Sequence, residues 1–228
     1  MFCYCYDDYS ETIKKLIICA LESDDSRLNC IASYSIVELY MHKDMFNNVY
    51  EIYVSANKNK KKSMLEMIIL YFSEEKYRSK AKALLEKIIL LEDDKDNDIL
   101  WGRLFRDKIV KPDEDEILIS NILKSKIKKH VLSDFSEFIM EERTIKEFSD
   151  LILELTENII ENPKDIKYIW GIENELINLI FCLYDKTSND YTEESSIIAS
   201  RCLDLWDRMY EKNVGMARSL TEQLMEKC

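Results

Sequence analysis

Apolar side chains recur along the chain at spacings of three and four residues, and short polar clusters separate the apolar segments. This period places apolar residues on one side of an α-helix, in a stripe wide enough to be buried. Polar breaks of this length are typical of turns between helices. The pattern predicts an all-α fold of roughly nine to eleven helices. The clearest stripes are Met64, Leu65, Ile68, Ile69 and Phe72; Ala81, Leu84, Leu85, Ile88 and Ile89; Phe148, Leu151, Ile152, Leu155 and Ile159; and Ile169, Ile172, Leu176, Leu179, Ile180 and Leu183.

Helix-capping residues occupy the polar breaks. Examples are Ser10 before ETIKK, Pro112 before DEDE and Thr192 before EESS. The hydroxyl oxygens of Ser and Thr accept hydrogen bonds from first-turn amides, Pro suits the first helical position, and acidic residues face the positive end of the helix dipole. Each of the three positions therefore predicts a helix start.

Glycine and proline are scarce, with three Gly and two Pro among 228 residues. A sheet-rich fold of this length needs many more of both for its turns. A hydrophobic content of 46% is ample for a core, which argues against a disordered chain. Because no linker rich in Gly, Pro or Ser divides the sequence, we expect a single α-helical repeat domain over residues 1–228, with softer joints near residues 57–63 and 111–116.

One weak internal repeat is visible. Residues 21–34 align with residues 91–104 at an offset of 70, which matches an acidic turn with an acidic turn and Ala32 with Gly102. The offset equals two helical hairpins of about 35 residues each, within the range of helical repeats. Stacked hairpins contact mainly their neighbours and expose a long binding surface, so the sequence favours an α-solenoid.

The charge balance is strongly acidic, with 32 Lys and Arg against 44 Asp and Glu and a formal net charge of −12. A chain of this charge is repelled as a whole by nucleic acid and by anionic membranes. Its longest apolar runs fall short of the roughly 20 residues of a membrane span, and its first residues, MFCYCYDDYS, lack the basic start of a secretory signal. We expect a soluble cytoplasmic protein that binds no membrane and whose overall charge disfavours nucleic acid as a partner.

The seven cysteines are odd in number and irregularly spaced. This usage favours reduced thiols over a disulfide framework. Cys182 and Cys202 lie on apolar helix faces, where we expect them to be small core residues.

Known catalytic and cofactor motifs are missing from the sequence. Neither GxxxxGK[ST] nor GxGxxG occurs, and no nucleophile elbow of the GxSxG type is present. His42 and His130 lie on separate segments, away from any pair of cysteines that could complete a zinc site. We therefore expect no enzyme activity and no cofactor. The many paired carboxylates leave one alternative open, a compact helical enzyme or regulator whose metal site is built from scattered acids.

Two basic runs stand out against this acidic background, residues 57–62 (NKNKKK) and residues 124–130 (KSKIKKH). The first contains Lys60, Lys61 and Lys62 and is expected to be a solvated loop. With nearby Tyr50 and Tyr53 as stacking residues, such lysines could contact phosphates, which leaves nucleic-acid binding open as a weaker alternative.

Residues 200–218, SRCLDLWDRMYEKNVGMAR, form the densest cluster of potentially reactive side chains. Helical spacing puts Cys202 and Trp206 in a buried stripe with Ile198, Leu205 and Met209. Asp204 lies within pairing distance of both arginines on the same helix, and Gly215 suits a left-handed C-terminal cap. The candidate interaction or structural residues come from this cluster, from the ILWGRLF helix and from the lysine run. They are Arg201, Asp204, Trp206, Asp207, Arg208, Trp101, Lys60, Lys61 and Lys62.

Four segments together resemble the C-terminal α-solenoid of bacterial STAND-type NTPases, the NACHT-like proteins of which many serve in defence against phage. They are AKALLEKIILLEDDKDNDILWGRLFRD at residues 81–107, SDFSEFIMEERTIKEFSDLILELTENII at residues 133–160, ELINLIFCLYDKT at residues 175–187 and RCLDLWDRMYEKNVG at residues 201–215. The likeness covers residues 63–228 and consists in the order of the patterns.

The resemblance implies a HEAT-like array of helical hairpins that recognises a protein partner or trigger, or sets the packing of an oligomer. The sequence holds neither the family's nucleotide-binding core nor its N-terminal effector, so ATP hydrolysis and effector activity are not implied. We expect a non-catalytic protein-binding module, a sensor or scaffold, while the sequence leaves the partner and the oligomeric state open.

Overall fold

The computed structural model of the chain is all-helical over the residues that it describes. These are residues 6–23, 25–42, 46–91, 97–125, 129–161 and 172–212, together with residues 214, 217, 218 and 221. Eleven α-helices and no strand occur within these ranges, which agrees with the predicted fold class. None of the helices in the described ranges has the length and hydrophobicity needed to cross a bilayer.

The helices follow one another with short connections. In chain order they are α1 (Tyr6–Glu22), α2 (Ser26–His42), α3 (Phe46–Ser55), α4 (Lys58–Ser73), α5 (Arg78–Ile89), α6 (Asp98–Arg106), α7 (Pro112–Lys124), α8 (Lys129–Glu142), α9 (Ser149–Glu161), α10 (Ile172–Ser188) and α11 (Glu193–Glu211).

The chain divides into two compact units, Met1–Leu100 and Trp101–Cys228. The boundary lies inside α6 and coincides with neither joint expected from the sequence. Residues 57–63 begin α4, and residues 111–116 form the first turn of α7, which is kinked at Asp115. That residues 1–228 act as a single domain stays a prediction.

The first unit buries the apolar stripes of its helices against one another. Helix α2 packs on α1, α3 and α4, and α5 packs on α3 and α4. Every residue of the stripes predicted on α4 and α5 is buried, from Met64 to Ile89. A smaller cluster joins α1 to α2. Its buried members are Ile13, Ile17, Ala32, Ile36 and Leu39.

The second unit has an aromatic core between α6 and α8. The Phe105 ring meets the Phe135 ring edge-on at 5.4 Å between centroids, and Phe135 meets Phe148 in the same way at 5.4 Å. Edge-to-face pairs of this kind add about 0.5–1.5 kcal/mol to the burial of the rings. Further along the chain, α10 packs on α8, α9 and α11, and α11 packs on α9.

In two cases, helices that are two positions apart lie side by side and run in the same direction. On α2 and α4, Cys30 contacts Ser63 and Tyr34 contacts Glu66, at separations of 33 and 32 residues. Between α6 and α8, three contacts again join residues that are 32 or 33 positions apart in the sequence. These pairs are Gly102 with Asp134, Phe105 with Phe138, and Lys108 with Glu141. Among the eleven described helices, every pair in extensive contact is one or two positions apart in the chain.

Two of the three predicted helix starts are confirmed, and one is wrong. Thr192 accepts a hydrogen bond from the Ser195 amide at 3.2 Å and caps α11, and Pro112 occupies the first turn of α7 with three acids after it. Ser10 does not start a helix, because α1 already begins at Tyr6 and the serine lies inside it.

Two helices end on a residue with left-handed backbone that is not glycine. Lys108 follows α6 with a φ of 52°, and Arg143 follows α8 with a φ of 60°. The next amide in each case, Ile109 or Thr144, reaches back five residues to a helix carbonyl at 3.0 Å. This is the closing hydrogen bond of a Schellman motif, a position that glycine usually occupies.

Candidate interaction surfaces

The two arginines of the 200–218 segment connect α11 to α9. Arg201 pairs with Asp150 at 3.2 Å and with Glu157 at 3.6 Å, and Arg208 pairs with Glu161 at 3.4 Å. The expected pairing within α11 therefore gives way to pairing between neighbouring helices. Since the side chains are 38% exposed or more, each pair contributes at most about 1 kcal/mol.

Helix α9 presents four carboxylates at helical spacing, which we call the α9 acidic stripe: Asp150, Glu154, Glu157 and Glu161. Lys124 of α7 pairs with Glu154 at 2.7 Å, and the arginines of α11 pair with the other three. Lys212, just after α11, donates from Nζ to the Ile160 carbonyl at 3.0 Å. The stripe thus meets cations from the helices before and after it, which fixes the lateral position of α9.

Asp204 and Asp207 lie on the outer side of α11, where both side chains are exposed. Exposed Leu203 and Ile197 share that side. The arginines are turned towards α9, so the outer side of α11 is acidic and apolar.

Trp206 connects α11 to the residues that follow it. The indole Nε1 donates a hydrogen bond to Thr221 Oγ1 at 2.9 Å, and the indole ring lies against Phe181 of α10 at 6.3 Å between centroids. The Arg218 guanidinium lies over the Tyr210 ring at 5.2 Å. Trp206 is half-buried, not fully buried as the stripe predicted, because its polar edge turns towards Thr221. The predicted cap at Gly215 lies outside the described residues.

Three other members of the predicted α11 stripe are buried, whereas Ile198 is only half-buried. Cys202, Leu205 and Met209 are each 1% exposed. Burial raises the pKa of the Cys202 thiol to about 11, against a small lowering from Arg201. Burial also raises the pKa of Cys182, which is half-buried on α10. Cys202 is therefore a core residue, as expected, and Cys182 lies at the edge of the core.

Free thiols are found at all the cysteines that the structure describes, Cys19, Cys30, Cys182 and Cys202. No group of three His, Cys, Asp or Glu side chains in the described ranges is arranged to hold a metal ion.

A polar cluster that the sequence did not indicate joins the turn after α8 to the turn before α11. Lys146 Nζ donates to Asp190 Oδ2 and, at 3.2 Å, to Ser195 Oγ, which itself donates to Asp190 at 2.9 Å. Hydrogen bonds from Lys146 and then Ser195 lower the pKa of Asp190. The next residue, Tyr191, is fully exposed. The Lys and Asp are 44 residues apart, so no local spacing rule could pair them.

The lysines expected in a loop belong to α4. Asn57 caps this helix by accepting a hydrogen bond from the Lys60 amide at 3.1 Å. Lys60 and Lys61 are half-buried and Lys62 is exposed. The loop prediction is wrong because the Asn57 cap and the apolar stripe that follows outweigh the unfavourable meeting of lysines with the positive end of the helix.

The tyrosines near these lysines are not open for stacking. Tyr53 is 1% exposed, and the Lys61 ammonium lies 5.7 Å from its ring centroid. Tyr50 is half-buried, with the Lys87 ammonium 5.6 Å from its ring centroid. Trp101, the remaining candidate, is 3% exposed on α6 and is therefore a core residue.

In comparisons with known proteins, no family model, no curated protein and no solved structure matches the chain.

Proposed function

We propose that the chain is a non-catalytic, protein-binding α-solenoid, a sensor or scaffold built of HEAT-like hairpins. The observation that supports this most is the contact pattern: among the described helices, every extensive contact joins helices one or two positions apart. Helical-repeat arrays have this pattern, because each hairpin buries its apolar side against its neighbours and leaves a continuous outer surface.

The register of the contacts gives further support. Separations of 32 and 33 residues recur between α2 and α4 and between α6 and α8, close to the hairpin length of about 35 expected from the sequence. The relation to the sensor tails of STAND-type defence proteins rests on the order of the sequence patterns and is part of the same proposal.

The side chains that first suggested chemistry have structural contacts instead. Arg201 and Arg208 hold α9, and Trp206 holds Thr221. Cys202 is buried with a raised pKa, which disfavours a reactive thiolate. These contacts support a role for the 200–218 segment as a joint that orients helices.

The proposal is tested with purified protein and with the native host. A tagged chain is used to capture proteins from host lysate, and the captured protein is then purified and mixed with the chain. A defined complex in analytical ultracentrifugation is the expected result.

The competing metal-site enzyme is tested in parallel by thermal unfolding with Mg²⁺ or Mn²⁺. A ligand that binds only the folded state at 100 times its Kd stabilises it by about 2.7 kcal/mol. We expect no such shift. A metal-dependent shift of several degrees, or failure to reconstitute any complex, contradicts the proposal.

A further inference from the structure

Positive charge is concentrated in one part of this acidic chain. Residues 57–87 contain nine Lys and Arg against four Asp and Glu, whereas the remaining residues contain 23 against 40. The structure makes this segment α4 and α5, which pack on each other and on α3. At physiological ionic strength charges are screened beyond about 8 Å, so a local excess of this kind determines what binds there despite the net charge of −12.

Two lysines from different helices are positioned by the tyrosines of α3. Lys61 of α4 lies over Tyr53, and Lys87 of α5 lies over Tyr50, at 5.7 and 5.6 Å from the ring centroids. The tyrosines are three residues apart and so lie on one side of α3. Both ammonium groups are therefore held over the same side of one helix, with less side-chain entropy left to lose on binding.

Further lysines extend this surface along both helices. Lys58 is three residues before Lys61, and Lys80 is seven residues before Lys87, so each shares a helix side with its partner. We call Tyr50, Lys58, Lys61, Lys80 and Lys87 the lysine surface. Two acidic residues adjoin this surface in sequence: Glu51 follows Tyr50, and Glu86 precedes Lys87. The four lysines outnumber them, so the surface is basic.

The cations of the second unit are used differently. Lys108 pairs with Glu141 and Glu142, and hydrogen bonds to these two carboxylates raise its pKa. By contrast, within the described part of the chain neither Lys61 nor Lys87 forms an ion pair. Their charges are held by aromatic faces and remain available to an anion.

We propose that the lysine surface binds an acidic segment of a protein partner, one rich in Asp and Glu. This inference rests on the proposed protein-binding function and adds to it the place of binding and the chemistry of the partner. Carboxylates of an extended segment would pair with lysines on α4 and α5 at once, which places the segment across α3.

A nucleic acid fits this surface less well for two reasons. Base stacking needs open aromatic faces, and here Tyr53 is buried while the Tyr50 ring faces an ammonium group. A long polyanion would also run beyond the lysines onto the acidic remainder of the chain, where 40 acidic residues face 23 basic ones. A short acidic peptide avoids both costs.

Fluorescence anisotropy of labelled decaglutamate, with labelled oligothymidylate as the competing probe, tests the inference on the full chain. We expect decaglutamate to bind, and its affinity to fall about tenfold in the double variant Lys61→Glu/Lys87→Glu. The matched control, Lys15→Glu/Lys186→Glu, changes the net charge equally at two exposed lysines outside the surface, and should bind like the wild type. Lys61→Gln/Lys87→Gln replaces the reversal variant if that variant does not fold.

Three results overturn the inference: no binding of decaglutamate, an equal loss in the control variant, or tighter binding of oligothymidylate that depends on the same lysines. The proposed function is tested separately by the captured partner. If the Lys61→Glu/Lys87→Glu variant keeps that partner at wild-type affinity, the lysine surface is wrong and the protein-binding function stands.

Discussion

The Tyr34 hydroxyl of α2 donates a hydrogen bond to Oε2 of Glu66 on α4, with 2.5 Å between the two oxygens. The bond joins two helices that are not consecutive, and both side chains are half-buried. Burial, and then the hydrogen bond to Glu66, raise the pKa of Tyr34 well above its ordinary value. The contact between α2 and α4 thus includes a hydrogen bond whose donor, the Tyr34 hydroxyl, can lose its proton at high pH.

Replacing Tyr34 by Phe should lower the free energy of unfolding by about 1.5–3 kcal/mol, because the bond has a charged acceptor. Urea denaturation followed by circular dichroism measures the change. Tyr40→Phe on the same helix is the matched control and should cost less. Equal losses in the two variants would show that the Tyr34 hydroxyl has no special role.

The same bond predicts a pH dependence. Because the folded-state pKa of Tyr34 is raised, its contribution is complete below the ordinary tyrosine pKa of about 10 and is lost as the pH rises towards the folded value. The stability difference between wild type and Tyr34→Phe should therefore shrink above about pH 10. A difference that stays constant or grows with pH contradicts the assignment.

Gly102 of α6 allows the Asp134 carboxylate of α8 to approach closely. A Cβ at this position would overlap that carboxylate, which also lies 3.6 Å from Arg106. Alanine gains about 0.5–1 kcal/mol of helix propensity over glycine, but the Asp134 carboxylate must turn aside and leave its contact with Arg106. We expect these effects to offset each other, so that Gly102→Ala changes the free energy of unfolding by less than about 0.5 kcal/mol in urea denaturation.

An Asp134→Ala background separates the two effects. Without the carboxylate, Gly102→Ala should become stabilising by about 0.5–1 kcal/mol. If Gly102→Ala has the same effect in both backgrounds, the close approach to Asp134 is not what favours glycine here.

Arg143 ends α8 with a left-handed backbone, which costs a residue with a Cβ roughly 1–2 kcal/mol. Glycine removes this strain from the folded state, although its larger conformational entropy in the unfolded chain offsets part of the gain. Arg143→Gly should therefore be stabilising by about 0.5–1 kcal/mol. Arg143→Ala keeps the strained backbone and should change little. Chemical denaturation of the three proteins distinguishes backbone strain from loss of the guanidinium, since the latter would affect both variants alike.

The bond from Trp206 to Thr221 fixes the chain after α11. Trp206→Phe and Thr221→Val each remove it, and each should cost about 1 kcal/mol, while the double variant should cost less than the sum of the two. Thr221→Ser keeps the hydroxyl and serves as the control. Strict additivity in urea denaturation would mean that the two residues act independently.

Helical periodicity predicted the buried side chains best where a helix is covered on one broad side. On α4 and α5 every predicted stripe residue is buried. On α9 the prediction is partly shifted: Leu151 and Ile159 are half-buried, and Leu153 and Ile160 are buried instead. Helix α9 packs on both α10 and α11, so its buried arc is wider than one stripe and turns towards the second neighbour.

The contacts between distant positions could not be predicted from spacing. The sequence paired Asp204 with arginines on its own helix, because residues three and four apart are the only pairs that local geometry defines. Arg201 instead pairs with Asp150, which is 51 residues away, and Lys146 with Asp190, which is 44 away. Such pairs depend on which helices lie side by side, and this is decided by the packing of the apolar sides.

The extensive contacts between described helices one or two positions apart also bear on how the chain reaches this fold. Because the residues that these contacts join are close in sequence, little loop entropy is lost before native contacts form. Each hairpin can form as soon as its own residues and those of its neighbour are available. Assembly can therefore proceed stepwise during synthesis, without waiting for the C-terminal helices.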